Sequence, residues 1–219
     1  MFSIEVSESI RKACPNFAGA AIFATVKNSS HNNELWLRIE ALTNEYKSQT
    51  VIEDIKNNPV IAATRKAYKL LGKDPNRYRP SSEALCRRIL RDLPLYQIDT
   101  MVDIINLVSI KTGYSIGGFD ADKIEGNALT LGVGEANEPY EAIGRGTMNI
   151  EGLPVYRDNI GGIGTPTSDH ERTKIDISTT HLLTIINGYN GKEGLEDAAT
   201  YLQSLLIEFA GSDGTITYF

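Results

Sequence analysis

Apolar side chains recur every three or four residues over several segments, which is the spacing of one face of an α-helix. The clearest case is Leu35, Ile39, Leu42 and Tyr46, which predict a helix within 34–57. The same spacing, with Pro, Gly or Ser at its ends, predicts four more helices. These cover 60–71, a segment that starts after Pro80 with Ser81 or Ser82 as N-cap, 98–112, and 193–209.

Short apolar or β-branched runs separated by glycine dominate the second half and predict strands. They cover 116–119, 128–133, 140–143, 153–156, 174–178, 181–186 and 215–219, and one early strand covers 17–26. Helices mainly in the first half and β-sandwich-like strands in the second predict an α+β fold. No repeat or linker divides the pattern, so we expect a single domain over 1–219.

Composition excludes several classes of protein. A hydrophobic fraction of 41% in 219 residues is ordinary for a globular protein and too high for a disordered one. No apolar run approaches the roughly 18 residues of a membrane helix, and the first residues do not resemble a signal peptide. We therefore expect a cytoplasmic protein. Cys14 and Cys86 lack the spacing of a zinc site or a disulfide framework, so no metal or cofactor is expected.

The net charge of −6 hides a gradient along the chain. Residues 65–91 contain nine basic and two acidic side chains, a net +7, which leaves −13 on the other 192 residues. Five of the nine are Arg77, Arg79, Arg87, Arg88 and Arg91, and guanidinium groups contact phosphates in a planar, bidentate way. Tyr78 adds a ring for stacking. The segment is either a phosphate-contacting surface or a solvated helix face without a partner.

Polar side chains with a possible binding role lie on the predicted helix 98–112. Asp103 and Asn106 are three residues apart and share a face, and Ser109 follows them before a glycine-rich stretch that ends at Phe119 and Asp120. Such groups either hold a small polar ligand or are buried structural polars that bond to loop backbone. Both interpretations remain open.

Two blocks of sequence resemble the B3/B4 domain of the phenylalanyl-tRNA synthetase beta subunit, and most closely its free-standing bacterial relatives. The resemblance is strongest over 66–126 and looser over 155–173. The residues that carry the first block are Leu71–Pro75, Arg79–Leu85, Arg87, Arg88, Val102–Ser109 and Gly118–Gly126. Those of the second are Asp158, Gly161, Gly162, Ser168, Asp169, Glu171, Arg172 and Thr173.

The resemblance implies one α+β unit with an unusual β-sandwich, the B3/B4 fold. It also implies a site which, in the synthetase, hydrolyses tyrosine wrongly attached to the phenylalanine tRNA. Transferred to this chain, the partners are a tRNA, expected to be aminoacylated, and an amino-acid moiety in a pocket. The expected pocket residues are Asp103, Asn106, Ser109, Gly117, Gly118, Phe119, Asp120, Ser168, Asp169, Glu171 and Arg172. The five arginines from Arg77 to Arg91 become the expected contacts to tRNA phosphates.

One position departs from the synthetase pattern. The full-length enzyme usually has a pocket histidine shortly before its Phe-Asp pair, and Gly117 stands there in this chain. The acid that would bind a tyrosine hydroxyl is Asp169 or Glu171. Three functions remain open: an aminoacyl-tRNA deacylase acting in trans, a module that binds tRNA or an amino acid without chemistry, and a small-molecule enzyme or sensor. Nothing resembles the catalytic core of a synthetase, and no catalytic residue can be named.

Overall fold

The computed structural model describes residues 2–219. The strands are β1 Ser3–Val6, β2 Ala18–Thr25, β3 Ile116–Asp120, β4 Ala128–Val133, β5 Glu141–Ala142, β6 Gly146–Thr147, β7 Pro154–Arg157, β8 Gly162–Gly164, β9 His181–Gly188 and β10 Thr215–Tyr218. The helices are α1 Glu8–Ala13, α2 Asn33–Gln49, α3 Pro59–Leu70, α4 Ser81–Ile89, α5 Thr100–Thr112 and α6 Leu195–Ala210.

The central layer is a four-stranded sheet in the order β10-β2-β9-β3, with antiparallel neighbours throughout. Apolar residues of α2, α5 and α6 pack on one face of this sheet. The second sheet covers the other face. Because β2 and β9 are buried on both faces, their sequences are continuous apolar runs rather than alternating patterns.

The second sheet has the order β1-β4-β7-β8, in which β1 and β4 are parallel and the other pairs antiparallel. Its inner residues Leu129, Leu131 and Ile163 pack against Phe119 and Leu183 of the central sheet. We call this layer the inter-sheet core. The α+β class with a β-sandwich is therefore confirmed. Both sheets also recruit strands from the first 25 residues of the chain.

Two helix ends differ clearly from the prediction, while the other predicted ends lie within two residues of the observed ones. The helix expected over 34–57 ends at Gln49, and only a short 3-10 turn follows at Ile55–Asn57. The N-cap of α4 is Pro80, so the predicted cap by Ser81 or Ser82 is wrong. Ser82 is fully buried instead, and its hydroxyl lies 3.1 Å from that of Ser115.

The strand predicted over 174–178 is wrong. Asp176 organises a turn there, since its carboxylate accepts a hydrogen bond from the Ser178 N–H at 2.8 Å and its own N–H donates to Thr179 Oγ1 at 3.0 Å. Such side-chain bonds to nearby backbone compete with the hydrogen bonds of a sheet. The segment therefore leads as a loop into β9.

Four elements are absent from the sequence prediction: β1, α1, β6 and β8. They are short, with four, six, two and three residues, so their patterns are too brief to show a period. Within residues 2–219, no helix has the length and apolar character needed to cross a membrane.

Candidate functional site

A tight loop, Thr165–Ser168, joins β8 to Asp169 and brings the chain back beside β8, because Gly164 and Asp169 pair as an antiparallel bridge. We call it the site loop. Hydrogen bonds fix its shape: the Thr165 hydroxyl donates to the Ser168 carbonyl at 2.9 Å, and the Tyr140 hydroxyl donates to the same carbonyl at 2.7 Å. The loop is thus held in one conformation.

The site loop is also attached to α3 and α4. The hydroxyls of Thr167 and of Tyr68 in α3 are 2.9 Å apart, and Tyr68 is fully buried. The N–H of Ser81, the first residue of α4, donates to the Pro166 carbonyl at 2.8 Å. The first turn of the Arg-bearing helix α4 therefore packs directly against the site loop, which links the basic segment to Asp169.

The carboxyl group of Asp169 lies where β3 and β8, edge strands of the two sheets, approach each other. Its Oδ2 accepts a hydrogen bond from the Gly118 N–H at 3.1 Å. A Cβ placed on Gly117 or Gly164 would lie 3.4 or 2.9 Å from Oδ1. These two glycines therefore make the space that the carboxyl group occupies. Oδ1 itself accepts no hydrogen bond from any residue within 2–219.

Burial raises the pKa of Asp169 to about 7, against the opposing effect of the Gly118 hydrogen bond. The residue as a whole stays partly exposed, and Gly117, Gly118 and Gly164 lie close around its carboxyl group. The carboxyl group of Asp169 therefore keeps its proton to a much higher pH than an ordinary aspartate does. An enclosed carboxyl group near its pKa, with one oxygen unused, is suited to a polar ligand group.

The structure brings together only part of the predicted pocket. Gly117, Gly118, Phe119 and Asp169 meet at the edge of β3. Phe119 is fully buried in the inter-sheet core, and its ring lies close to the Cα positions of Gly117 and Gly164. Ser168 takes part through its backbone carbonyl.

Helix α5 runs beside this place. A Cβ on Gly118 would lie 2.5 Å from the Ile105 side chain, so α5 packs against β3 there. Asn106 is half-buried and Ser109 is buried. Neither side chain forms a hydrogen bond with another residue in the part of the chain that the structure describes, so both remain predicted pocket residues without an assigned contact.

Asp103 lies in a different environment, against α2. Its Oδ2 accepts a hydrogen bond from the Trp36 indole at 2.6 Å, and its Oδ1 accepts one from the Ile98 N–H at 3.3 Å. Burial raises the pKa of Asp103, while these bonds oppose the shift. The contacts favour the structural interpretation of this residue.

Three other predicted pocket residues are occupied by ion pairs. Asp120 accepts hydrogen bonds from Thr179 at 2.8 Å and pairs with Lys123 at 3.1 Å. Glu171 pairs with Lys174. Arg172 binds both oxygens of Asp158, each at 2.9 Å. These pairs fix the loops around β3, and their side chains are not available at Asp169.

The imidazole nearest in sequence to Asp169 is that of His170, which is not among the predicted pocket residues. Its Nδ1 accepts a hydrogen bond from the Arg172 N–H at 2.9 Å, and its ring packs edge-on against Tyr140. Burial, followed by the charge of Arg172, lowers its pKa, so the ring is neutral at pH 7. Gly164 and Tyr140 were also missed, because an isolated Gly or Tyr carries no functional signal.

The basic segment is less uniform than its sequence indicates. Arg65 and Arg87 both pair with the fully buried Glu83, at 2.7 and 2.8 Å. The ammonium group of Lys73 donates to the carbonyls of Asn149 and Glu151, and burial lowers its pKa. Three of these cations therefore serve the fold.

The other predicted phosphate contacts are more accessible. Arg77, Arg79 and Arg91 are exposed and form no ion pair with another residue of 2–219. Arg88 is half-buried and donates from Nε to the Pro94 carbonyl. Exposed positive charge thus remains at both ends of α4, with Arg79 two residues before the contact between Ser81 and the site loop.

Two grooves of the surface lie elsewhere. One, of about 370 Å³, is lined by Gly19, Leu195, Tyr218 and Phe219 among others, and the second, of about 490 Å³, lies between α2 and the segment 92–97. Neither includes a predicted pocket residue. Among residues 2–219, no group of three or more His, Cys, Asp or Glu side chains could hold a metal ion.

The comparisons with known proteins agree with this fold. An N-terminal fragment of the phenylalanyl-tRNA synthetase beta subunit from Pyrococcus horikoshii is similar in structure, with a TM-score of 0.53 and 14% sequence identity. The match covers 98% of this chain and 50% of the fragment, so the chain spans half the length of that structure. No curated protein matches the sequence. The model of the B3/4 domain matches residues 63–211, and the chain belongs to this family.

Proposed function

We propose that this chain binds the aminoacylated end of a tRNA beside Asp169 and hydrolyses a wrongly attached amino acid. One observation carries the proposal: an enclosed carboxyl group with a free oxygen lies between two glycines, on a loop bonded to the start of the Arg-bearing helix α4. Membership of the B3/4 family and the synthetase-like fold support it.

In this proposal Asp169 selects the amino acid. Its free Oδ1 accepts a hydrogen bond from a phenolic hydroxyl or an ammonium group of the bound amino acid. Glu171 is the weaker choice, because its carboxylate is paired with Lys174. A site built to bond a hydroxyl rejects the analogue without it by about 10⁴-fold, since the enclosed polar group is left unpaired. Tyrosine would thus be preferred over phenylalanine.

The hydrolytic step requires the protein to position the reactants and does not require a strong nucleophile. Water attacks the carbonyl carbon of the aminoacyl ester, the bond from that carbon to the ribose oxygen breaks, and the ribose oxygen takes up a proton. The ester is labile, so holding it and a water in line contributes most of the acceleration. His170 is neutral and its Nδ1 is occupied, so no imidazole-activated nucleophile is assigned.

A deacylation assay tests the proposal. Tyrosyl-tRNA(Phe) and a panel of other mischarged tRNAs are incubated with the protein, and release of the amino acid is measured over time. We expect release well above the spontaneous rate for at least one substrate and a loss of about 100-fold for Asp169→Asn. Glu171→Gln is the matched control and should stay within twofold of the parent. Release at the spontaneous rate for every substrate would contradict the proposed hydrolysis.

A second function, binding without chemistry, is favoured by one observation. Gly117 leaves the position next to Asp169 without the histidine that the synthetase pattern carries there. A binding module would hold tRNA with an affinity that falls steeply with salt, because phosphates are contacted, yet would release no amino acid. The same samples distinguish the two functions, since binding and release are measured on one substrate.

A further inference from the structure

The half-buried Arg88 stacks on the exposed ring of Tyr96 at the C-terminal end of α4, opposite the end that contacts the site loop. The guanidinium carbon of Arg88 lies 3.9 Å from the centre of the Tyr96 ring, and its Nε is bonded to the Pro94 carbonyl. Tyr96 is nevertheless 61% exposed, and no other ring or cation among residues 2–219 lies over it. The ring is thus held by Arg88 and open to solvent.

The segment that carries Tyr96 is unusual in its exposed apolar side chains. Leu93 is 47% and Ile98 is 55% exposed, so three large apolar residues within six positions face solvent. Single exposed apolar residues are common, but a cluster in one irregular segment marks a contact surface. We call Leu93–Ile98 the apolar loop.

The charged residues on the two sides of the apolar loop indicate which kind of partner fits it. On the α4 side, Arg88 lies against Tyr96, and the exposed Arg91 forms no ion pair with a described residue. On the α2 side, the groove of about 490 Å³ contains the acids Glu40 and Asp92, of which Asp92 pairs with Lys47 at 2.7 Å. The α4 side of the apolar loop therefore suits a planar ring that is covalently attached to a negatively charged group.

Tyr78, the ring expected to stack from its place between Arg77 and Arg79, is less suited. The Lys73 ammonium lies 3.8 Å from the centre of its ring, and the residue is half-buried against the cluster around Tyr140 and Leu153. Tyr96 is the more accessible of the two rings.

We propose that Tyr96, backed by Arg88, is a stacking platform for an unpaired nucleotide of the tRNA 3′ end. This inference rests on the proposed function. Helix α4 has nine residues and is about 13 Å long, with the site loop at one end and Tyr96 at the other. When the aminoacyl group is at Asp169, the preceding nucleotides follow α4 past Arg79 towards Tyr96. Base stacking on an aromatic ring contributes affinity without reading sequence.

Fluorescence anisotropy with labelled tRNA tests the platform. Tyr96→Ala should weaken binding about 10-fold to 100-fold at every salt concentration, with an unchanged slope of affinity against salt, because no phosphate contact is lost. Tyr96→Phe should bind like the parent. Tyr218→Ala is the matched control, a tyrosine that is 53% exposed on β10, and should also bind like the parent. A tRNA without its unpaired 3′ nucleotides should bind the parent and Tyr96→Ala equally.

Several results would overturn the inference. If the parent binds tRNA and Tyr96→Ala binds it equally well, the platform is refuted while the proposed function stands. If sedimentation shows a dimer that Tyr96→Ala dissociates, the apolar loop contacts a second copy of the chain instead. If the parent binds no tRNA at any salt concentration, both this inference and the proposed function fail.

Discussion

At the scale of single residues, Glu83 holds two charges of the basic segment in place. Its side chain is fully buried, while those of Arg65 and Arg87 are 13% and 21% exposed. We expect Glu83→Gln to lower the free energy of unfolding by about 3 kcal/mol, because two poorly hydrated guanidinium groups lose their counter-charge. Urea unfolding followed by circular dichroism measures the change.

The surface pair of Arg38 and Glu208 is the matched control. Its Glu208 side chain is 44% exposed, so Glu208→Gln should cost less than about 1 kcal/mol. If Glu83→Gln and Glu208→Gln lowered the free energy of unfolding equally, burial would not be what determines how strongly Glu83 stabilises the fold. From the sequence alone, Glu83 is only an acidic residue in the first turn of a predicted helix. Its burial could not be foreseen, because it depends on Arg65, which comes from another helix.

The candidate site shows the same limit of prediction from sequence. The resemblance alone identified Asp169 together with Glu171, and the residue types could not separate the two. The contacts in the structure separate them. Lys174 forms an ion pair with Glu171, whereas Asp169 accepts a single backbone hydrogen bond from Gly118. Such contacts join segments that are distant in sequence, so no local pattern reports them.

At the scale of elements, the edge strand β8 requires glycine at its last position. A Cβ on Gly164 would lie 2.5 Å from the Phe119 ring and 2.9 Å from Asp169 Oδ1. Phe119 is fully buried in the inter-sheet core and cannot easily move. We expect Gly164→Ala to lower the free energy of unfolding by about 1–3 kcal/mol, which urea unfolding measures.

Gly161, just before β8, provides the control for this prediction. A Cβ there would have nothing within 4 Å, and the residue does not have a positive φ. Gly161→Ala should therefore leave stability unchanged or raise it slightly, because alanine restricts the unfolded chain. If both variants lost the same stability, the close approach at Gly164 would not be the cause.

The helices over 60–71 and 98–112 were predictable because their apolar period reflects a buried face. The strands β2 and β9 were predictable as continuous apolar runs, because both of their faces are buried. Lys174–Ser178 was assigned as a strand because its residues are β-branched or alternate in polarity. The turn at Asp176 prevails there, with Lys123 bound to its carboxylate at 2.6 Å.

At the scale of the whole molecule, the topology places the site at a junction of the two sheets. The motif blocks 66–126 and 155–173 are far apart in sequence, and Asp169 joins them by its bond to Gly118. The net charge is divided in a similar way, with accessible arginines at both ends of α4 and acids over the rest of the chain. Any contact with a polyanion is therefore expected to be local and oriented.

The enclosed Asp169 also predicts how the stability of the whole molecule depends on pH. Burial raises its pKa to about 7 in the folded protein, whereas the unfolded chain has a value near 3.9. Between these values the folded state keeps a proton that the unfolded state releases. A rise in pH therefore favours unfolding in this window, and the contribution of Asp169 falls by about 2–4 kcal/mol from pH 4 to pH 7.

Other groups change stability in the opposite direction. The lowered pKa values of Asp158 and Glu138 stabilise the fold above about pH 4, and the lowered pKa of His170 makes stability rise as pH approaches 6.5. The parent is therefore compared with Asp169→Asn. The contributions of these other groups are the same in both proteins, so they cancel in the difference between the two free energies of unfolding.

Urea unfolding of both proteins at half-unit steps from pH 4.5 to 7.5 gives the difference in their free energies of unfolding. We expect the parent to lose stability relative to Asp169→Asn across this range, with the loss levelling off as the pH passes the raised pKa. Asn has no titrating proton and occupies nearly the same volume, so a general packing effect would shift the difference equally at every pH. A difference that stays constant from pH 4.5 to 7.5 would mean that the Asp169 carboxyl group ionises as readily in the folded protein as in the unfolded chain.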